Sequence, residues 1–169
     1  MEKSIFAETG LEKLPFYGKV FISMFLVCIG CGYLMAILNV LSNVGLNYNS
    51  IVDHYRGNEA NMIIAPDFNE LVAHAHTHIL GMTGMFFSLG IVFMLTGVPD
   101  IYKAAVPAIS FLAILLDISS MFLVRFVLPQ FAITILLAGM TIGICALIEI
   151  AVPFYEMWIK EMWLKRIKK

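Results

Sequence analysis

The chain has 169 residues, 60% of them hydrophobic and 14% charged, with a mean hydropathy of +0.88. So few charges could not cover so large an apolar core, which excludes a water-soluble globular domain and predicts an all-α integral membrane protein. The net charge of −1 excludes the basic electrostatics of a nucleic-acid binder, and leaves membrane lipid as the first partner.

Residues 1–15 carry mixed charges, end in "KLPF" and read as a short cytoplasmic lead-in with Pro15 before the first span. Four apolar stretches, at approximately 17–46, 70–97, 101–125 and 130–158, each exceed the ~20 residues that cross a ~30 Å hydrocarbon layer. The first is too long for a cleaved signal peptide, and acids as well as lysines precede it. It holds Cys28 and Cys31 as a C-x-x-C; inside an apolar span this spacing predicts helix packing before redox or zinc chemistry, and with Cys145 it implies no disulfide framework. Gly32 and Ala36 continue a small-residue face, and Asn39, Asn43 and Asn47 form a polar stripe at the outer end.

The outer loop, 47–69, is the one sizeable polar connection and is too long for a simple turn, so a short surface helix or a function is expected there. Its "DHYR" cluster (Asp53, His54, Tyr55, Arg56) offers proton-handling groups, with a solvated loop as the plainer reading. "TGVPD" and "VLPQ" are proline-built reversals. Helices joined so briefly lie antiparallel and adjacent, which predicts a single domain over 1–169, a four-helix up-down bundle. The last span carries Gly139, Gly143 and Ala146, small residues that let backbones touch within the bundle or between subunits. The tail, 156–169, sets Trp158 and Trp163 beside a run of lysines: an amphipathic cytoplasmic segment with an aromatic anchor.

With the N-terminus inside, Lys3, Lys13, Lys19, Lys103, Lys160, Lys165, Arg166, Lys168 and Lys169 gather on one side, against Arg56 and Arg125 on the other. This bias predicts four spans in a prokaryotic-type inner (cytoplasmic) membrane, with both termini cytoplasmic.

The second span opens "LVAHAHTHILGMTGMFFSL", placing His74, His76 and His78 at membrane depth. At about 100° per residue, His74 and His78 share a face about 40° wide, and His76 points nearly the opposite way. The first face continues through Gly81 and Met85, the second through Leu80, Thr83, Phe87 and Gly90. Each thus carries a small residue deeper in the membrane, the gap a flat cofactor needs to lie against a helix. From the 1.5 Å rise, the cluster lies roughly 6–12 Å below the outer boundary and Asp117 of the third span roughly 12 Å below it. A carboxylate at that depth needs a partner, and it could fix the tautomer of a ligating imidazole. Interhelical hydrogen bonding would explain one histidine at such a depth; three in five residues point to a ligand or a proton path.

Two ligand chemistries compete. His74 and His78 with Asp117 would suit a zinc, copper or iron ion. Alternatively, imidazoles on opposite faces hold separate haems, one or two haem b per chain, with Arg56 and Arg125 neutralising propionates in the outer half.

"AHAHTHILGMTGMFF" resembles the His-x-His helix of haem–copper oxidase and nitric-oxide reductase catalytic subunits. There one helix holds two haems on opposite faces through histidines two apart. The resemblance covers about fifteen residues. It implies His76 for one haem and His74 or His78 for another. That family uses about a dozen helices and further histidines for copper, whereas this chain has four spans, His54 as its one further histidine and no copper motif. Oxygen reduction at a haem–copper centre is therefore not implied; what survives is a small b-type cytochrome. The other spans contain no histidine, so a sixth ligand must come from His54, from Met35 or Met85, or from a second subunit. A homodimer is expected. The functional expectation is electron transfer or redox chemistry near the outer face, with a quinone or redox partner there and enzymatic turnover undecided. The alternatives are a transition-metal binding or transport protein, and a haem-based sensor or accessory subunit.

Overall fold

The computed structural model describes residues 10–160. Among them the regular structure is helical: α1 (Phe16–Asn43), α2 (Tyr48–Arg56), α3 (Phe68–Met94), α4 (Asp100–Phe126) and α5 (Ala132–Phe154), with no strand. A π-helical turn, Tyr155–Lys160, continues α5. α1, α3, α4 and the segment Pro129–Lys160 are each long and apolar enough to cross a membrane. The protein is an all-α membrane bundle.

The boundaries moved from the sequence expectation where local chemistry intervenes. The second span starts at Phe68 because Asp67 and Glu70 cap it reciprocally: the Glu70 N–H donates to Asp67 Oδ1 at 2.8 Å and the Asp67 N–H to Glu70 Oε2 at 2.9 Å. It stops at Met94, three residues short of 97, where Thr96 donates its hydroxyl to the Phe93 carbonyl. The first stops at Asn43 instead of 46, with Gly45 at φ +82° just beyond.

The outer connection is a docked element. Asn47 caps α2 through the Ser50 N–H at 2.8 Å. Ile51 and Tyr55, four apart and so on one face, are buried with Leu71, Met121, Val124 and Ala132. Gly57, at φ +84°, ends the helix; a Cβ there would lie 3.2 Å from the Ala65 nitrogen and the Ile63 carbonyl oxygen. Two arginines fasten this cap. Arg56 Nη1 donates to the Val124 carbonyl at 3.2 Å, and Arg125 Nε to the Pro66 carbonyl at 2.9 Å.

α4 packs along both α3 and α5, and α3 also meets α5. The buried positions of α4 (Ser110, Ala113, Ile114, Asp117, Ser120, Met121, Val124) recur every three or four residues, the stripe of a helix with one protein-facing side. α1 is attached mainly at its inner part, where Leu26 is fully buried; from Leu34 to Asn43 every residue is exposed. Trp158 Nε1 donates to Ser23 Oγ at 2.8 Å, so this tryptophan fastens α5 to α1 beyond any anchoring at the interface. The end of the bundle where α1 begins closes with Glu156, whose carboxylate accepts the Gly97 N–H, and Lys160, paired with Glu12 at 3.1 Å. Trp163 and the rest of the tail from 161 lie outside the described residues.

Candidate functional site

The end of the bundle that carries α2 brings together polar groups from three helices. On α3 the rings of His74 and His78 stack, with centroids 5.3 Å apart and planes 18° from parallel. Their i, i+4 spacing puts them one above the other on one face. From α4, Asp117 Oδ2 lies 3.6 Å from His78 Nε2, the carboxylate buried and the imidazole half-buried. His54 of α2 and Asp117 both act electrostatically on His74. His76 is exposed on the other side of α3.

Electrostatics follows from burial where the groups lie outside the spans. Burial pushes the His54 imidazole below its ordinary value, against a hydrogen bond to the Asn43 backbone that raises it. Burial raises the Tyr55 hydroxyl, and the Asp117 charge adds to that.

The remaining sequence-predicted residues divide. Gly81 is open: a Cβ there would meet nothing within 4 Å, and the same holds for Gly84. Met85 is half-buried against the core that contains Phe86 and Leu89, so its side chain is used in packing. Arg56 spends one N–H on the α4 carbonyl of Val124 and Arg125 one on the Pro66 carbonyl, and Arg125 also lies over the Phe126 ring at 5.4 Å. Asn39 and Asn43 pair with each other at 2.7 Å, and Asn47 is a helix cap. Cys28 and Cys31 are exposed and free, and Cys145 is buried and free. Gly143 receives the Tyr33 hydroxyl, whereas Gly139 faces open space. The small-residue motif therefore serves an internal contact at one of its two glycines. Among the described residues, no three His, Cys, Asp or Glu side chains form a group that could hold a metal ion.

Two residues escaped the sequence reading. Tyr33 reaches the electrostatic neighbourhood of both Asp117 and Cys145. Glu149 is a fully buried acid in the middle of α5. The signal for Glu149 was present, since an ionisable residue inside an apolar span marks a functional candidate by default. Tyr33 carried no such mark.

Four membrane-length, apolar helices define an integral membrane helical bundle. Residues 45–163 match the family model Aq_1264_TM, a transmembrane helical domain, and the chain belongs to that family. The matched region takes in α2 to α5 and leaves α1 outside. No curated protein and no solved structure matches the chain. The likeness of "AHAHTHILGMTGMFF" to an oxidase ligand helix therefore rests on those residues alone.

Proposed function

We propose that the chain is a membrane b-type haem protein that handles electrons near the outer face. The observation that carries this reading is the division of labour on α3. His78 turns Nε2 toward Asp117, 3.6 Å away, and so serves as a brace. That leaves His74 and His76, both exposed and on opposite faces, as the ligating imidazoles. The residues fit a flat ligand: beyond His74 its face runs to Gly81, where a Cβ would meet nothing within 4 Å. His74 and His76 would hold the group, and it would supply one-electron redox chemistry. Guanidinium N–H groups of Arg56 and Arg125, beyond those bonded to carbonyls, would neutralise propionates at the outer boundary. Because His54 is tied to the Asn43 backbone, a further imidazole for the group would come from another copy of the chain, which supports a homodimer. The nine-to-two distribution of basic residues supports a reading with both termini on the cytoplasmic side of a prokaryotic-type inner membrane. A quinone at the outer face fits as electron partner.

The test is an absorption spectrum of the detergent-purified protein with a haemochrome count per chain. A Soret band and a sharp reduced α-band are expected. His74→Ala and His76→Ala should each remove a different spectral component. A colourless protein from haem-replete cells would overturn the reading, and identical spectra of the two variants would overturn the two-face assignment.

A second reading, supported by the 3.6 Å approach of His78 to Asp117 beside the His74 ring, is a divalent transition-metal ion for which those three side chains would have to turn from their present positions, where they form no metal-holding group. Metal content without visible absorption, lost in Asp117→Asn, is its signature.

A further inference from the structure

Among the described residues, Ile64 at 92% and Met62 at 90% are the most exposed large apolar side chains. They stand in the connection from α2 to α3, where every residue from 59 to 64 is exposed. Apolar side chains on the spans meet lipid. These two belong to a polar loop, so what covers them is a separate question.

The backbone around them is fixed. Asn58 and Ile63 exchange both backbone hydrogen bonds at 2.9 Å, an antiparallel bridge that closes a short turn. Inside it the Asn58 side chain accepts the N–H groups of Ala60 and Asn61 at 3.1 and 3.3 Å. The Met62 N–H donates to the Glu59 carbonyl at 3.1 Å. Met62 itself stands at φ +54°, the left-handed region that a residue with a Cβ seldom enters. Glycine or asparagine would take that position at less cost. A methionine held there with its side chain bare points to a use for the side chain.

The level of this tip follows from its fastening. The Pro66 carbonyl accepts from Arg125 Nε at 2.9 Å, so the returning arm lies beside the last turn of α4. Ile64 is two residues from Pro66, which keeps their Cα atoms within about 7 Å of each other, and Met62 is within about 14 Å. At 27 residues, α4 is about 40 Å long, so its last turn stands in the headgroup zone of a bilayer about 40–45 Å thick. The tip is therefore within reach of the acyl boundary. At the same level Phe68 packs edge-on against Phe122 and beside Phe126, and Phe68, Phe126, Val127 and Leu128 are exposed. Met62 and Ile64 extend this apolar rim.

Charge and size narrow the choice of partner. The connection and its flanks carry Asp53, Glu59, Asp67 and Glu70 against Arg56 and the neighbouring Arg125. That acidic balance does not suit an anionic surface, so apolar insertion is the interaction that fits. Two aliphatic side chains also fall far short of the roughly 800 Å² per partner of a stable protein interface.

We propose that the 58–64 turn is a membrane-interface anchor, whose Met62 and Ile64 side chains insert into the phospholipid leaflet at the α2 end of the bundle. The side chains lie among the first methylenes of the acyl chains, and the bridged backbone stays with the headgroups. Insertion fixes the level of α2, and with it His54. The anchor does not depend on which ligand the histidines hold.

The experiment uses the full chain, one copy per disc, in nanodiscs of zwitterionic phospholipid. A charged, membrane-impermeant oxidant is added and Met62 sulfoxide is followed by mass spectrometry. Sulfoxide should form several-fold more slowly than in the free 58–66 peptide. Ile64→Asp, at a position too exposed to disturb the core, should bring Met62 close to the peptide rate. In Ile64→Trp, the emission added over the wild-type tryptophans should be blue-shifted and quenched by lipid brominated near the headgroup end of its acyl chains. Adding anionic lipid should change neither readout. The anchor is overturned by wild-type oxidation at the peptide rate, by protection that persists in Ile64→Asp, or by an added tryptophan that aqueous iodide quenches and bromolipid does not. Protection that requires anionic lipid refutes apolar insertion, and protection seen only with two copies per disc assigns the tip to a second chain instead.

Discussion

α1 and the Pro129–Lys160 segment that contains α5 have nearly the same hydropathy, 2.4 and 2.5 over an apolar window of each, yet 6% of one window is buried against 28% of the other. In water such helices would bury equal apolar area. In a bilayer, lipid is as good a solvent for leucine as protein is, and hydropathy stops reporting on packing. What separates the two helices is small and polar residues. α5 buries Ala138, Ala146 and Glu149 against α4, and α1 meets the bundle through Leu26, Tyr33 and the Ser23–Trp158 hydrogen bond. Specific contacts hold this molecule together, and they are distributed unevenly.

The sharpest way to break that contrast is to enlarge the same residue type on both helices. Ala146 is 1% exposed in the α5 seam, so Ala146→Leu overpacks it and should destabilise by about 1–3 kcal/mol. Ala36 is exposed on α1, and Ala36→Leu should change stability by less than about 0.5 kcal/mol. Thermal midpoints in detergent measure both; equal losses would mean that α1 is packed as tightly as α5.

A smaller effect is expected at the outer cap. Arg125→Ala removes the bond to the Pro66 carbonyl and the contact over Phe126. Because the guanidinium is partly exposed, the cost should be about 1 kcal/mol. It should appear as faster hydrogen exchange at 57–67, with α5 amides unchanged.

The smallest effect is a pH dependence confined to α2. His54 is pushed below its ordinary 6.5 by burial, so the docked helix favours the neutral imidazole. An undocked α2 binds the proton first as pH falls. Docking is therefore complete above the undocked value and weakens as pH drops through it toward the docked one. Exchange at α2 amides, corrected for intrinsic rates, should rise as pH falls below the ordinary imidazole value of 6.5. His54→Gln should flatten that rise; an equal rise in the variant would assign it to another group.

Hydropathy and proline-built turns made the four spans and their order legible, because length against bilayer thickness leaves little freedom. The ends were less legible. They are set by side chains such as Asp67 with Glu70, and by Gly45, whose backbone conformation no hydropathy window reports. The histidine wheel placed His74 and His78 on one face because helical spacing is a local property, and their rings stack in the structure. The reach of Tyr33 to Gly143 joins helices whose mutual approach depends on packing, so nothing near Tyr33 announced it. Arg56 and Arg125 were read as ligand groups by charge alone; their carbonyl bonds, which tie the cap to α4, depend on how the outer connection folds back.

The attachment of α1 has a consequence for biosynthesis. Its contacts with the last span lie at Ser23 and Tyr33 on one side and at Trp158 and Gly143 on the other. The ribosome makes Gly143 roughly 110 residues after Tyr33, an interval of about 5–20 s at ordinary elongation rates. Throughout that time α1 stands in the membrane without its final neighbour. A helix with apolar residues on almost every face tolerates that wait, and its late, sparse docking leaves it the last piece to join the bundle.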